Sequence, residues 1–83
     1  DYILDIFEDS KGKLWLATCG GGLAYFEEKT GSIHSYTTKD GLSDNIVKSI
    51  LEDTYGNLWL STNNGISRFN IYNKKIRAFT IKD

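Results

Sequence analysis

Short runs of alternating residues fill the chain, and turn-forming residues separate them. In Leu14-Trp15-Leu16-Ala17-Thr18, successive side chains of a strand point to opposite faces, so Leu14 and Leu16 face one way and Trp15 and Ala17 the other. Both faces are apolar, which indicates a sheet that is covered on both sides. No segment keeps apolar residues at spacings of three, four and seven for long enough to form a helix. The pattern therefore predicts an all-β chain.

The chain contains two copies of one pattern. Residues 6–18 align with residues 50–62 at an offset of 44, and eight of the 13 positions are identical. Beyond Thr18 the first copy has one extra residue, and the offset becomes 43, which pairs Gly22 with Gly65. Each copy predicts four short strands, because apolar and β-branched runs alternate with Gly, Asp, Asn and Lys. The predicted strands are residues 3–8, 13–18, 23–26 and 33–37 in the first copy, and 46–52, 57–62, 66–70 and 76–81 in the second.

Repeated four-stranded units of this length are typical of β-propeller blades. We predict that residues 1–40 form one blade and that residues 41–83 form a connector and a second blade. Because closed propellers have about four to eight blades, two blades indicate a piece of a larger propeller. The expected partners are neighbouring blades or other copies of the chain, which would cover the outer apolar faces bearing Trp15 or Trp59.

The turn between the first two strands is repeated and has a clear mechanism. Asp9 and Asp53 each open a predicted type I turn, in which the carboxylate accepts a backbone N–H two residues further on. Gly12 and Gly56 then occupy the left-handed position of a three-residue hairpin loop. Because the aspartates recur in both copies, we interpret them as residues that define the blade and not as acids or calcium ligands.

Composition excludes several classes of function. With 40% hydrophobic and 25% charged residues, the chain has the composition of a folded globular protein, and its short apolar runs predict no membrane insertion of this segment. Its net charge of −1 and the lack of a basic stripe argue against nucleic-acid binding. Cys19 is the only cysteine, so neither an intrachain disulfide nor a thiolate zinc site can form. We predict no metal and no cofactor.

One family shares the repeated motif. The pattern Ile-x-x-Asp-x-x-Gly-x-Leu-Trp-Leu-x-Thr, followed by Gly-Leu or Gly-Ile and then an aromatic residue, resembles the two-component regulator propeller repeat. The connector Leu42-Ser43-Asp44-Asn45-Ile46-Val47 is also similar to that family. The Gly-His and Trp-Asp signatures of WD40 repeats are missing, and the kelch glycine pair occurs only in the first copy. The resemblance implies the periplasmic, extracytoplasmic sensor part of an inner-membrane protein in a bacterial hybrid two-component system, with oligosaccharides as the implied signal.

Strand order predicts where a ligand would bind. The loops after the second and fourth strands of each blade share one rim, which comprises residues 19–22, 39–45 and 63–65. On this rim, polar side chains suited to sugar hydroxyls give four candidate ligand-binding residues: Asp44, Asn45, Asn63 and Asn64. Each has a plainer alternative, because Asn-Asn-Gly is an ordinary turn and Asp or Asn in a connector caps backbone groups.

Two other functions stay open. Related propellers include streptogramin-lyase-like enzymes, in which His34 would be a candidate general base. However, His34 lies in the fourth, outermost strand and aligns with Arg77, so we expect a solvent-facing edge residue and predict no catalytic residue. The other alternative is a protein-docking scaffold without a small ligand.

Overall fold

The computed structural model describes residues 2–80 and contains two four-stranded antiparallel sheets joined by a connector. Each strand pairs with its neighbours in sequence, in the orders β1-β2-β3-β4 and β5-β6-β7-β8. This confirms the predicted all-β fold of two four-stranded blades. The last strand was predicted to reach residue 81, which lies outside the described residues. The strands are β1 (Tyr2–Glu8), β2 (Leu14–Cys19), β3 (Leu23–Glu27), β4 (Ser32–Tyr36), β5 (Val47–Glu52), β6 (Asn57–Thr62), β7 (Gly65–Asn70) and β8 (Ile76–Phe79).

Strand register assigns the side chains of the first blade to two faces. Trp15 pairs with Tyr25 and Ala17 with Leu23, and these residues form what we call the Trp face of the first blade. The opposite side is the Leu face of the first blade, and it consists of Ile6, Leu14, Leu16, Ala24, Phe26 and Ile33.

The second blade has the same two faces. Its Trp face consists of Leu51, Trp59, Ile66, Arg68 and Phe79. Its Leu face consists of Ile50, Leu58, Leu60, Ser67, Phe69 and Ile76.

The core lies between the Trp face of the first blade and the Leu face of the second. Trp15 is 1% exposed, and its ring meets the ring of Phe69 edge-on at 5.2 Å between centroids. Tyr36 also packs on Phe69, with 4.8 Å between the ring centroids. Such tilted aromatic pairs add stabilisation beyond the apolar area that they bury. From the connector, Leu42 is buried in the same cluster, so the core joins both blades and the segment between them.

The structure decides between the two tryptophans that were expected to mark an outer face, Trp15 or Trp59. Trp15 lies in the interface between the blades, because the second blade packs on the Trp face of the first. The outer face of the first blade is its Leu face, where Ile6 is 62% exposed and Ile33 58% exposed. Trp59 does lie on the outer face of the second blade, together with the exposed Leu51 and Ile66. One apolar face of each blade is therefore uncovered.

A hydrogen-bonded clamp crosses between the blades at their turns. The backbone N–H and the hydroxyl of Ser10 donate to the two carboxylate oxygens of Glu52, at 2.8 and 2.7 Å. Charge-assisted bonds of this kind are stronger than bonds between neutral groups. The clamp fixes the angle at which the first turn of one blade meets the first strand of the next.

Each turn aspartate does more than the sequence predicted. Asp9 accepts the backbone N–H of Lys11 at 2.9 Å, and Asp53 accepts that of Tyr55 at 2.8 Å, as expected. In addition, the second carboxylate oxygen of Asp9 accepts the indole N–H of Trp15 at 2.9 Å, and Asp53 accepts that of Trp59 at the same distance. The aspartate thus ties the turn to the tryptophan of the blade centre. Gly12 and Gly56 have φ of 80° and 87°, in agreement with the predicted left-handed position.

These carboxylates predict acid sensitivity. Burial raises the pKa of Asp9, but hydrogen bonds from Trp15, Lys13 and Lys11 outweigh it and leave the pKa below its ordinary value. Desolvation also raises the pKa of Asp53. The hydrogen bonds that Asp53 accepts, above all from the backbone of Asn57, outweigh this effect and lower its pKa well below the usual range. In the unfolded chain an aspartate titrates near about pH 3.9. The stabilisation that the Asp9 and Asp53 carboxylates give the folded chain is therefore complete above that pH. It is lost as the pH falls through their folded-state pKa values.

We expect the urea midpoint of unfolding to be constant between neutral pH and about pH 5 and to fall steadily below about pH 4. The double variant Asp9→Asn, Asp53→Asn should unfold at lower urea concentration at neutral pH and should lose much of the decrease on acidification. If it keeps the full wild-type decrease, these two carboxylates are not its source.

Candidate functional site

The connector and the loops after β2 and β6 meet on one rim, as strand order predicted. The carbonyl of Asn45 accepts the N–H groups of Gly20 and Gly22, at 3.0 and 2.9 Å. The carbonyl of Ile46 accepts the N–H of Asn63 at 3.0 Å. Residues 20–22, 45–46 and 63 are therefore neighbours, although they are far apart in sequence.

Two threonines at the ends of β2 and β6 shape the rim loops. Thr18 donates its hydroxyl to the carbonyl of Gly22 at 2.8 Å and accepts the N–H of Gly21 at 3.0 Å. Thr62 repeats this arrangement, since its hydroxyl donates to Gly65 and accepts from Asn64, both at 3.0 Å. Sequence reasoning missed this role, although the threonine is identical in both copies and that repetition was the available signal.

The connector is held by its own capping residues. Thr37 and Asp40 bracket the 3₁₀ turn at Thr38–Asp40, where the Asp40 carboxylate accepts the N–H of Thr37 at 2.9 Å. Further along, the hydroxyl of Ser43 lies 2.8 Å from that of Thr62, and Ser67 accepts the N–H of Ser43 at 2.9 Å. These bonds fasten the connector to the second blade. Hydrogen bonds consequently hold the connector side of the rim in one arrangement.

The four candidate residues fall into two pairs. Asp44 accepts the N–H of Ile46 at 2.8 Å, and the side-chain oxygen of Asn45 accepts the N–H of Thr38 at 2.8 Å. Both are half-buried and cap backbone groups, as the plainer alternative proposed. Asn63 and Asn64 are exposed at the tip of the turn before β7. Asn63 and Asn64 therefore have exposed side chains, whereas Asp44 and Asn45 use theirs to cap backbone groups of the connector.

The remaining chemistry-bearing residues lie away from this rim. His34 is exposed in the outermost strand β4, stacks at 6.3 Å on the ring of Tyr25, and occupies the position that Arg77 has in the second blade. Cys19 is half-buried and has a free thiol, and its backbone forms an isolated β-bridge with that of Ile46. Among residues 2–80 no three His, Cys, Asp or Glu side chains are grouped as metal ligands would be. Over the same range, no helix has the length and apolarity needed to cross a membrane.

A family model of propeller proteins matches the chain, in agreement with its two four-stranded blades. The family model described as "Two component regulator propeller" matches residues 1–20 and 41–64, which is more than half of the chain. Those segments contain the first two strands of each blade and most of the connector. No curated protein matches the chain.

Two solved structures resemble it closely. The extracellular domain of a protein described as the hybrid two component system BT3049 from B. thetaiotaomicron is 37% identical, with a TM-score of 0.85 over 94% of this chain. The extracellular domain of a protein described as the one component system BT4673 from the same organism is 26% identical, with a TM-score of 0.73 over 98%. The chain spans only 11% and 12% of those two extracellular domains, respectively.

Proposed function

This chain belongs to the two component regulator propeller family, and from that premise we propose that it helps a bacterial sensor to bind an oligosaccharide signal outside the cytoplasm. Two solved relatives are extracellular domains of signalling systems, which supports the location. We assign it binding and signal transmission, not catalysis. The proposal concerns this segment, since the relatives are several times longer.

The observation that carries the proposal is the pair of exposed asparagines on a fixed rim. Amide side chains offer both donors and acceptors, which matches the hydroxyl groups of a sugar. Asn63 and Asn64 present these groups at the end of a turn, where the Thr62 hydroxyl accepts the N–H of Asn64 and the Ile46 carbonyl accepts that of Asn63. Rigid display of a few polar groups is the usual way in which a site fixes ligand orientation.

Calorimetry with a panel of oligosaccharides tests the proposal. We expect the chain to bind at least one member of a panel of four- to six-unit fragments of starch, xylan, arabinan and hyaluronan. The double variant Asn63→Ala, Asn64→Ala should bind that fragment about tenfold more weakly or worse, because it loses hydrogen bonds worth about 0.5–1.5 kcal/mol each.

Asn73→Ala is the matched control, since Asn73 is an exposed turn asparagine at the opposite rim. It should bind the fragment with wild-type affinity. A panel without a binding member would contradict the proposal, as would equal affinity of the wild type and the double variant.

A further inference from the structure

A concave site lies between the blades, near their outer edge. A cavity of about 210 Å³ opens there, lined by Lys13, Trp15, Tyr25, His34, Tyr36 and Lys74. Three of these residues come from β3 and β4 of the first blade, and Lys74 comes from the turn between β7 and β8 of the second. That turn belongs to the rim opposite to Asn63, so the cavity is separate from the candidate oligosaccharide site.

The cavity combines flat rings with positive charge. The ammonium group of Lys13 lies 5.6 Å from the centroid of the Tyr25 ring, and Trp15 packs on Tyr25 at 5.1 Å. Neither Asp nor Glu is among the lining residues. The nearby Glu27 accepts the hydroxyl of Tyr25 at 3.2 Å. The lining therefore offers cations and aromatic faces to a ligand. Two carboxylates lie beside it, and each already accepts a hydrogen bond from a lining residue, Glu27 from Tyr25 and Asp9 from the indole of Trp15.

Lys74 occupies a position where the fold prefers glycine. Its φ is 64°, and it is the only residue other than glycine with a positive φ among residues 2–80. The equivalent residue of the first blade is Gly31, with φ of 75°. Both turns are closed by the same bond, since Lys74 N–H donates to Asn70 and Gly31 N–H to Glu27, each at 2.8 Å. The second blade thus accepts backbone strain that glycine would avoid, and its lysine lines the cavity.

The repeat shows that the other lining residues are not required by the blade either. Trp15 has an identical counterpart in Trp59, as expected for a residue of the blade core. Lys13, by contrast, corresponds to Asn57, and Tyr25 corresponds to Arg68. His34 and Tyr36 likewise correspond to other residue types, Arg77 and Phe79. A blade forms with either set, so folding alone does not explain the set that lines this cavity.

We propose that this cavity binds a small organic acid with a single ring. Its carboxylate would lie between the ammonium groups of Lys13 and Lys74, and its ring would lie against Tyr25 and Tyr36. The cavity is smaller than the roughly 300–1,000 Å³ of sites for drug-sized ligands, which limits the occupant to one ring. Aromatic acids and sugar acids share this chemistry. The inference is independent of the proposed oligosaccharide site.

The decisive variant is Lys74→Gly. If Lys74 serves only the turn, the variant loses the hydrogen bond from the Lys74 ammonium group to the carbonyl of Ile71 and gains the residue that the turn prefers. These two effects on stability oppose each other, so the melting temperature should change by no more than roughly 4 °C. If Lys74 serves a ligand, the same variant should weaken binding of an acid by about tenfold or more, because one charge-assisted contact is lost.

The probes are 4-hydroxybenzoate and glucuronate, each compared with an uncharged partner, phenol and glucose. Titrations followed by NMR can use two indole N–H signals, since Trp15 lines the cavity and Trp59 lies on the outer face of the other blade. We expect at least one acid to shift Trp15 and not Trp59, and its uncharged partner to shift neither. If 4-hydroxybenzoate binds more tightly, the ligand is an aromatic acid. If glucuronate binds more tightly, the ligand is a sugar acid.

The variant Lys13→Asn, which installs the residue of the second copy, should weaken the same acid, whereas Asn63→Ala, Asn64→Ala should not. The inference is overturned if neither acid binds, if phenol or glucose binds as well as its acid, or if Lys74→Gly keeps wild-type affinity.

Discussion

Replacing Gly22 with alanine should unfold the first blade. A Cβ at this position would overlap with the carbonyl oxygen of Tyr36 in the neighbouring strand β4, and it would lie 3.1 Å from the carbonyl carbon. It would also press on the Leu42 side chain at 3.3 Å, and the φ of 76° is itself unfavourable for alanine. The obstacle is backbone, so it cannot move aside as a flexible side chain would.

The expected loss of stability is about 3–5 kcal/mol, which combines backbone strain with overpacking. Small domains have little more stability than that in total. Gly31→Ala is the matched control, because Gly31 also has a positive φ but no atom within 4 Å of an added Cβ. It should cost only about 1–2 kcal/mol. Circular dichroism and urea unfolding measure both, and similar losses in the two variants would contradict the role of the close approach.

Gly65 offers an independent check of the same idea. It is the equivalent of Gly22 in the second blade, and its added Cβ would overlap with the carbonyl oxygen of Phe79. The glycine of the Gly-Leu and Gly-Ile pairs is therefore required by the approach of the fourth strand. Sequence alone showed that the glycine repeats, but it could not show which backbone atom comes near.

The same limit applies to the other features that sequence reasoning missed. Alternation in β2 correctly separated Leu14 from Trp15, because side-chain direction in a strand follows from position alone. Which of the two faces is buried depends on how the connector sets the second blade against the first, and this is a property of the whole unit. For that reason the sequence left open whether Trp15 or Trp59 marks an outer face, and the structure places Trp15 in the core.

The sequence also did not reveal the hydrogen bonds between residues several positions apart, although the repeat indicated some of them. The bond from Trp15 to Asp9 joins two residues that are identical in both copies and six positions apart, so their joint repetition could have suggested a pair. At the rim, residue types correctly suggested that Asp44 and Asn45 cap backbone groups. Residue types could not reveal the cavity beside Tyr25, because its lining comes from both blades. The useful signal there was disagreement between the copies, above all a lysine in place of glycine at residue 74.

The interface between the two blades shows what would cover their outer faces. The Leu face of the second blade is buried against the Trp face of the first, with Leu58, Leu60 and Phe69 fully buried. The uncovered Leu face of the first blade has the equivalent residues Leu14, Leu16 and Phe26. An uncovered Trp face is present at the other end of the same chain. Two copies of the chain can therefore pack head to tail and reproduce the internal contact.

The polar clamp between the blades has an equivalent at this second contact. Glu8 corresponds to Glu52, and Thr54 corresponds to Ser10. In a head-to-tail pair, the N–H and hydroxyl of Thr54 would donate to Glu8 of the next copy, as Ser10 donates to Glu52 within the chain. The turn that bears Thr54 keeps the hydroxyl group that the contact needs, and the first strand keeps the carboxylate.

We therefore expect the chain to assemble in solution into species of two to four copies, since closed propellers contain about four to eight blades. Ile6→Glu should prevent this. Ile6 is 62% exposed on the Leu face of the first blade, whereas its equivalent Ile50 is 7% exposed in the internal interface. A carboxylate there costs the single chain little, but in the assembly it would be buried without a partner.

Thr30→Glu introduces the same charge at an exposed turn residue outside both faces and should leave assembly intact. Light scattering coupled to size-exclusion chromatography measures the masses of all three proteins. We expect concentration-dependent multiples of 9.4 kDa for the wild type and Thr30→Glu, and 9.4 kDa alone for Ile6→Glu. A wild-type chain that stays a monodisperse 9.4 kDa monomer with cooperative unfolding would show that the exposed apolar faces need no covering.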